Sequence, residues 1–169
     1  MKATRKQRLE EHIRRNCLFC QPKFREEESY RILNVKYPKN CFAILDTNPK
    51  ILGHSLVIAI NPFNDLTDSM SDVDEKEKTK TFESAVELAR RIEHILGAEK
   101  VYIMLICEKW EMWETGDCST TEHFHFHLVP TYSGMRTKSE AAEQLLAREG
   151  VGKDKATIER IAELLNRSK

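Results

Sequence analysis

Seven consecutive residues, His123-Phe124-His125-Phe126-His127-Leu128-Val129, alternate imidazole with apolar side chains and run into Pro130. An extended strand gives that alternation a physical meaning, because successive side chains point to opposite faces of a sheet. The three histidines then share one face with neighbours ~6–7 Å apart. Phe124, Phe126 and Leu128 make the opposite stripe, the natural core face. Histidine is the side chain that titrates unperturbed near neutral pH, so three on one rigid surface form a proton-handling or metal-binding array. Half of the chain's six histidines lie in this segment.

The remaining elements follow from periodicity and turn chemistry. Residues 4–15 read as a short helix. Tyr30 to Val35 and Cys41 to Leu45 read as strands around the turn Tyr37-Pro38-Lys39-Asn40. Leu56 to Ile60 is an apolar strand bounded by Gly53 and Pro62. From Asp72 to Leu96 the spacing of Phe82, Val86, Ala89, Ile92 and Leu96 predicts the main helix, acidic at its start and stopped by Gly97. Val101 to Cys107 and His123 to Val129 are strands separated by a loop, Glu108 to Glu122. Two further helices are expected near Lys138–Arg148 and Asp154–Asn166, split by Gly150-Val151-Gly152. One long helix among four to six strands indicates an α+β meander rather than regular βαβ units.

At 169 residues without repeats or a Pro/Gly/Ser linker, the chain is expected to be a single domain, 1–169. Lys plus Arg and Asp plus Glu number 27 each, so no global field favours nucleic acid or a membrane. The local basic run Lys2 to Arg15 is interleaved with Glu10 and Glu11 and reads as a solvated helix face. No apolar run approaches the ~20 residues that span a bilayer. The charged N-terminus does not read as a signal peptide. Five cysteines (17, 20, 41, 107, 118) are too few and too odd in number for a secreted disulfide framework. A reducing cytoplasm fits this usage.

The His-x-His-x-His strand, followed by two apolar residues, resembles the signature of the histidine-triad (HIT) nucleotide hydrolase and transferase superfamily. Cys17-Leu18-Phe19-Cys20 resembles the opening motif of many members. Asp46, then Gly53-His54-Ser55-Leu56-Val57-Ile58, resembles the segment in which an acidic or amide residue precedes a Gly-His at fixed spacing. The main helix and the strand after it fall where the family places them. The motif-bearing core covers about 17–130, and 131–169 is a C-terminal helical extension. The apolar stripe of the triad strand alone would also suit three surface histidines on a half-buried strand; coincidence with the other segments separates the two.

The resemblance implies a HIT-like antiparallel sheet of about five strands with one main crossing helix and extra N- and C-terminal helices. It implies a homodimer whose sheets join across a two-fold axis. It implies nucleophilic substitution at phosphorus, with His125 attacking the α-phosphate of a nucleotide conjugate to form a nucleotidyl-histidine that water resolves. Attack through Nε2 requires that Nδ1 keep the proton. His127 resembles the residue that moves a proton at the phosphate or leaving-group oxygen, and His54 the outlying histidine of the same pocket. His123 completes the catalytic set. Asp46 matches the family's ribose-binding position, where a carboxylate accepts from two hydroxyls; its alternative is an Asx-turn opening Thr47-Asn48-Pro49. Leu18, Phe19 and Ile44 match positions that clasp the base, with ordinary core packing as their alternative. In the loop before the triad, Thr120 keeps a hydroxyl for phosphate oxygens, and Ser119 stands where the family has glutamine. Trp110 and Trp113 in that loop could stack on a nucleotide, cover the sheet or join a dimer interface.

Cys17 and Cys20 with His123 match three ligands of the zinc site found in part of the family. The position of the family's fourth ligand falls on Pro62, and a structural zinc normally takes four. The reaction is expected to require no cofactor, with a structural zinc left open. The reading is a hydrolase acting on a dinucleoside polyphosphate or nucleoside phosphoramidate and releasing a nucleoside monophosphate. Its partners are nucleotide and a second copy of the chain, not nucleic acid or membrane. The alternatives are a nucleotidylyltransferase using the same pocket, a non-catalytic nucleotide-binding module, and a metal protein using the histidine face.

Overall fold

The computed structural model describes residues 11, 15, 17–61, 72–105, 123–133 and 154–167, with the backbone alone at Pro22, Arg25 and 72–74. Ile32–Leu33 (β1), Cys41–Leu45 (β2), Ser55–Ala59 (β3), Lys100–Leu105 (β4) and His125–Thr131 (β5) form one antiparallel sheet. Their order is β1-β2-β3-β5-β4, so the histidine strand is interior, between β3 and β4. His127 stands opposite Leu56 on one side and Met104 on the other, and His125 opposite Ile58. The architecture is the α+β sheet with a crossing helix expected from the sequence.

The period of two divides the sheet into two apolar faces. On one, Ala43, Leu45, Val57, Ala59, Phe126 and Leu128 pack with Phe124 beneath the helices Asp72–Leu96 (α2) and Lys155–Arg167 (α3). On the other, Phe42, Ile44, Leu56 and Ile58 pack with Cys17, Phe19 and Phe24. The last three come from a 3₁₀ turn, Leu18–Cys20, and the short helix Pro22–Glu27 (α1), which starts on a proline suited to a first helical turn. His125 and His127 belong to this second face. The imidazoles therefore stand among apolar neighbours rather than on a wet surface.

The helix α2 has the expected bounds, and Gly97 beyond it adopts a positive φ of 68°, as a helix-terminating glycine does. Its buried stripe is phased differently from the sequence reading: Thr81, Ser84, Ala85, Leu88, Ala89 and Ile92 are buried. Phe82 is 48% exposed, and Val86 and Leu96 are half-buried. Small residues let the helix sit close to the sheet, and the large Phe82 is displaced to the margin, its ring centroid 5.6 Å from that of Phe126.

Two expectations are corrected at strand ends. Of 30–35 only Ile32–Leu33 is strand, because Ser29–Arg31 winds into a 3₁₀ turn that buries Arg31. His123 precedes β5 rather than lying in it. Helix α1 had no clear periodic signal and was not expected. The predicted last helix is present as α3, with the Asp154 carboxylate accepting from Thr157 N–H at 2.9 Å, an N-terminal cap. Asn166 near its end donates to Ile32 O and accepts from Asn34 N–H, at 2.9 and 2.7 Å. That side chain closes the outer edge of β1. The helices expected at 4–15 and 138–148 and the tryptophan loop fall outside the described residues, apart from Glu11 and Arg15, which are paired with each other. No helix among the described residues is long and apolar enough to cross a membrane.

Candidate functional site

Four histidines converge on the face opposite α2: His54, His123, His125 and His127, all buried. Two backbone carbonyls fix ring protons directly, since a carbonyl oxygen can only accept. His125 Nδ1 lies 2.6 Å from His123 O, and His123 Nε2 lies 2.9 Å from Ala59 O. Both nitrogens therefore carry hydrogen. In its neutral form His125 has its lone pair on Nε2.

From there the protons are determined in sequence. His125 Nε2 is 2.9 Å from His127 Nε2, so His127 Nε2 is the donor. Its Nδ1 then carries a lone pair and accepts from His54 Nε2, 3.1 Å away. His54 Nδ1 is left to accept, and Lys50 N–H points at it from 3.2 Å. The chain of donors runs from the Lys50 amide through His54 and His127 to the lone pair of His125. With neutral rings this direction satisfies all four of these contacts, and it ends on an unprotonated Nε2.

Electrostatics keep this array uncharged. Burial pushes His125 down to about 4, partly opposed by the bond to His123 O. Burial and the neighbouring His125, His54 and Lys50 push His127 down to about 2. His54 is also lowered, first by burial and then by Lys50, with Asp46 opposing. The cause in each case is the same: a charged imidazole loses its hydration among apolar walls. Phe19 forms one such wall, its ring edge-on to His125 with centroids 5.5 Å apart.

The loop carrying His54 is built to hold it. Asp46 N–H donates to His54 O at 2.9 Å and His54 N–H to Ile51 O at 3.0 Å. Gly53 has φ +82°, and a Cβ there would lie 2.7 Å from Leu96 Cδ1; glycine meets both demands. The Asx-turn at Asp46 forms, Oδ1 accepting Asn48 N–H at 2.8 Å. Its other oxygen, Oδ2, lies 3.2 Å from His54 Nδ1. The buried Arg31 guanidinium bonds Asp46 O at 3.0 Å and pairs with Glu28. Neither Arg31 nor the Lys50 amide was anticipated; a backbone donor leaves no trace in residue type.

The second constellation is Cys17, Cys20 and His123. His123 Nδ1, the ring nitrogen with the lone pair, is 3.6 Å from Cys17 Sγ and 3.3 Å from Cys20 Sγ. Tetrahedral zinc with ordinary Zn–S and Zn–N lengths places a sulfur and a nitrogen about 3.6 Å apart. The other ring nitrogen is held by Ala59 O, the outer bond that orients a ligating imidazole. Donor type, spacing and orientation fit a zinc ion, with three protein ligands among the described residues. The Cys17 thiol is pushed up by its hydrogen bond to Cys20 and by burial, so binding a metal there releases protons.

Of the residues matched to base clasping, Phe19 and Ile44 are buried in the apolar cluster beside the histidines, while Leu18 is 48% exposed. Thr120 and Ser119 lie outside the described residues.

Residues 32–134 match the family profile described as HIT domain. No curated protein matches the sequence. Among solved structures, a Hit-like protein involved in cell-cycle regulation from Bartonella henselae is similar at 18% identity and TM-score 0.62, covering 89% of this chain and 94% of its own. A zinc-bound histidine triad family protein from Mycobacterium smegmatis is similar at 22% identity and TM-score 0.51, with 88% and 97% covered. A HIT family hydrolase from Legionella pneumophila matches at 22% identity and TM-score 0.51, with 73% and 97% covered. At such identities these likenesses establish the fold.

Proposed function

We propose that this chain, which belongs to the HIT domain family, hydrolyses nucleotide conjugates at the α-phosphate through a covalent intermediate on His125. The observation that carries this reading is the ordered proton chain ending on the lone pair of His125 Nε2, with Nδ1–H pinned to His123 O at 2.6 Å. An imidazole so held is an unprotonated nucleophile across the physiological range, because burial keeps it neutral.

In the resting state His127 Nε2–H occupies that lone pair. Substrate binding must break this bond and turn the His127 proton toward the phosphate. The Nε2–P bond then forms as the P–O or P–N bond to the leaving group breaks. The departing atom takes a proton from His127 Nε2; water then attacks phosphorus and gives a proton back to His127 Nε2 as the P–Nε2 bond breaks, which frees His125 and the nucleoside monophosphate. Full histidine at 127, a residue able to give and take a proton, supports water as the final acceptor. Asp46 accepts from the ribose hydroxyls, Phe19 and Ile44 flank the base with Leu18 at their margin, and Thr120 and Ser119 meet phosphate oxygens.

The reaction needs no cofactor. Cys17, Cys20 and His123 would supply three ligands to a zinc ion, which when bound would cross-link the 17–20 turn to the start of the triad segment. A cytoplasmic, reducing setting keeps these thiols available. The chain pairs with a second copy through β4: Asn166 closes the β1 edge, whereas at the opposite edge Tyr102 and Met104 flank Val129 half-buried.

Intact-protein mass spectrometry tests the reading, after brief mixing with an adenosine phosphoramidate and with a diadenosine polyphosphate. An acid-labile nucleotidyl adduct on the wild type and not on His125→Ala is expected, with AMP released. Binding of AMP without adduct or product would instead favour a nucleotide-binding module.

A further inference from the structure

The neutral proton chain leaves one contact unsatisfied. With His54 Nδ1 accepting from the Lys50 amide, its lone pair also faces Asp46 Oδ2 at 3.2 Å. Two acceptors then oppose each other inside a buried site, where such a conflict is costly. Asp46 cannot simply turn away, because Oδ1 holds Asn48 N–H and Arg31 holds its carbonyl. A proton on Nδ1 turns the Asp46 contact into a charge-assisted hydrogen bond, in exchange for the weaker one from the Lys50 amide.

We propose that Asp46, His54 and His127 form a proton relay that takes up one extra proton when the anionic phosphate binds, with the Asp46 carboxylate as its terminal charge. This rests on the hydrolytic reading above and assigns Asp46 a role besides ribose binding. In the charged state His54 Nδ1–H donates to Asp46 and His54 Nε2 accepts from His127 Nδ1–H. His127 then carries hydrogen on both nitrogens. Giving Nε2–H to the leaving group returns the relay to a neutral state rather than to an imidazolate. That neutral state, still ended on Asp46, has its lone pair on His127 Nε2, where it accepts a proton from the attacking water. The charged state is regenerated. Without the extra proton, His127 could donate only by becoming anionic.

Among the described residues, few groups face this relay. Lys50 lies on the same loop and opposes the positive charge; Asp46 favours it. His125 adjoins His127 on β5, and Arg31 reaches the Asp46 carbonyl. From α3, Ile158 and Ile161 line the gap beside Asp46 and His54, adding no charge. Among the described residues Asp46 is thus the carboxylate that balances the cation. It acts through His54, as a positioning residue in the manner of a base-orienting acid.

The test compares wild type with Asp46→Asn, which keeps the Asx-turn and an acceptor for ribose. Expected is a loss of kcat of ~10-fold or more, separate from any rise in KM caused by losing one of the two ribose acceptors. The descending limb of the pH profile moves to lower pH, because the relay holds its proton less tightly. A raised KM with kcat and pH profile intact would overturn the relay and leave Asp46 as a ribose contact. A second arm needs no turnover: ¹⁵N imidazole spectra of the full chain saturated with AMP. Protonated His54 Nδ1 in the wild type, lost in the variant, supports the relay. An unprotonated Nδ1 in the wild type with AMP bound overturns it. Absence of adduct and product in the wild type would sink the hydrolase reading alone, and the spectra would still decide the relay.

Discussion

The carbonyl oxygen of His123 accepts Nδ1–H of His125 at 2.6 Å, so one residue serves both halves of the site. Its ring faces two thiols, and its backbone sets the tautomer of the proposed nucleophile. The intervening Phe124 is fully buried on the opposite face. Whatever anchors the His123 ring therefore anchors the carbonyl that orients His125.

Replacing His125 by alanine should remove the adduct and reduce turnover by at least ~10³-fold, as loss of a nucleophile does. The buried site should tolerate the change in fold, at ~1–3 kcal/mol for the lost packing. Single-turnover kinetics beside a thermal melt would check both. Retained turnover in a folded variant would move the nucleophile elsewhere.

Zinc should raise the melting temperature of the wild type and not of Cys20→Ser. At 100 times its dissociation constant a single-site ligand contributes about 2.7 kcal/mol, which is roughly 5–10 °C for a chain of this size. Equimolar zinc by elemental analysis should vanish with the same substitution. A melt indifferent to zinc would leave the cysteine pair as ordinary thiols, one buried and one half-buried.

The sequence made the strand face legible because a period of two and three imidazoles coincide at His123 to His127. It also predicted α2 within its bounds, since acidic first turns and Gly97 punctuate it. The phase of its buried stripe was not legible: side-chain size favoured Phe82, whereas close approach to the sheet favoured Ala85 and Ala89. The direction of the proton chain was equally hidden. It depends on His123 O, Ala59 O and the Lys50 amide, backbone groups that any residue carries. Asp46 was assigned by resemblance to ribose; its second oxygen beside His54 emerged only from the loop geometry.

Gly53→Ala should destabilise the protein more than Gly97→Ala. Both have positive φ, 82° and 68°, but a Cβ at Gly53 would meet Leu96 Cδ1 at 2.7 Å while Gly97 has nothing within 4 Å. The backbone term is ~1–2 kcal/mol for each, and the contact adds to it at Gly53 alone. Because Gly53 directly precedes His54, its variant should also lose turnover, whereas Gly97→Ala should keep it. Equal melting temperatures for the two variants would contradict this placement.

Stability should fall on mild acidification, and the sign follows from burial. In the unfolded chain a histidine titrates near 6.5; in the folded chain burial pushes His125 to about 4 and His127 to about 2. Above pH ~7 both states are neutral and stability is insensitive to these groups. As pH drops below ~6.5 the unfolded chain binds protons that the folded chain refuses, so stability is lost until pH passes the folded values. Between pH 7 and 5 each such imidazole is worth about 2 kcal/mol, giving roughly 4 kcal/mol for the two. Urea unfolding in the presence of a chelator, at half-unit steps of pH, measures the loss free of metal linkage. His125→Ala should remove about one proton from the slope. A curve flat from pH 7 to 5 would mean that water reaches the imidazoles, and the neutral proton chain on which the mechanism depends would lose its cause.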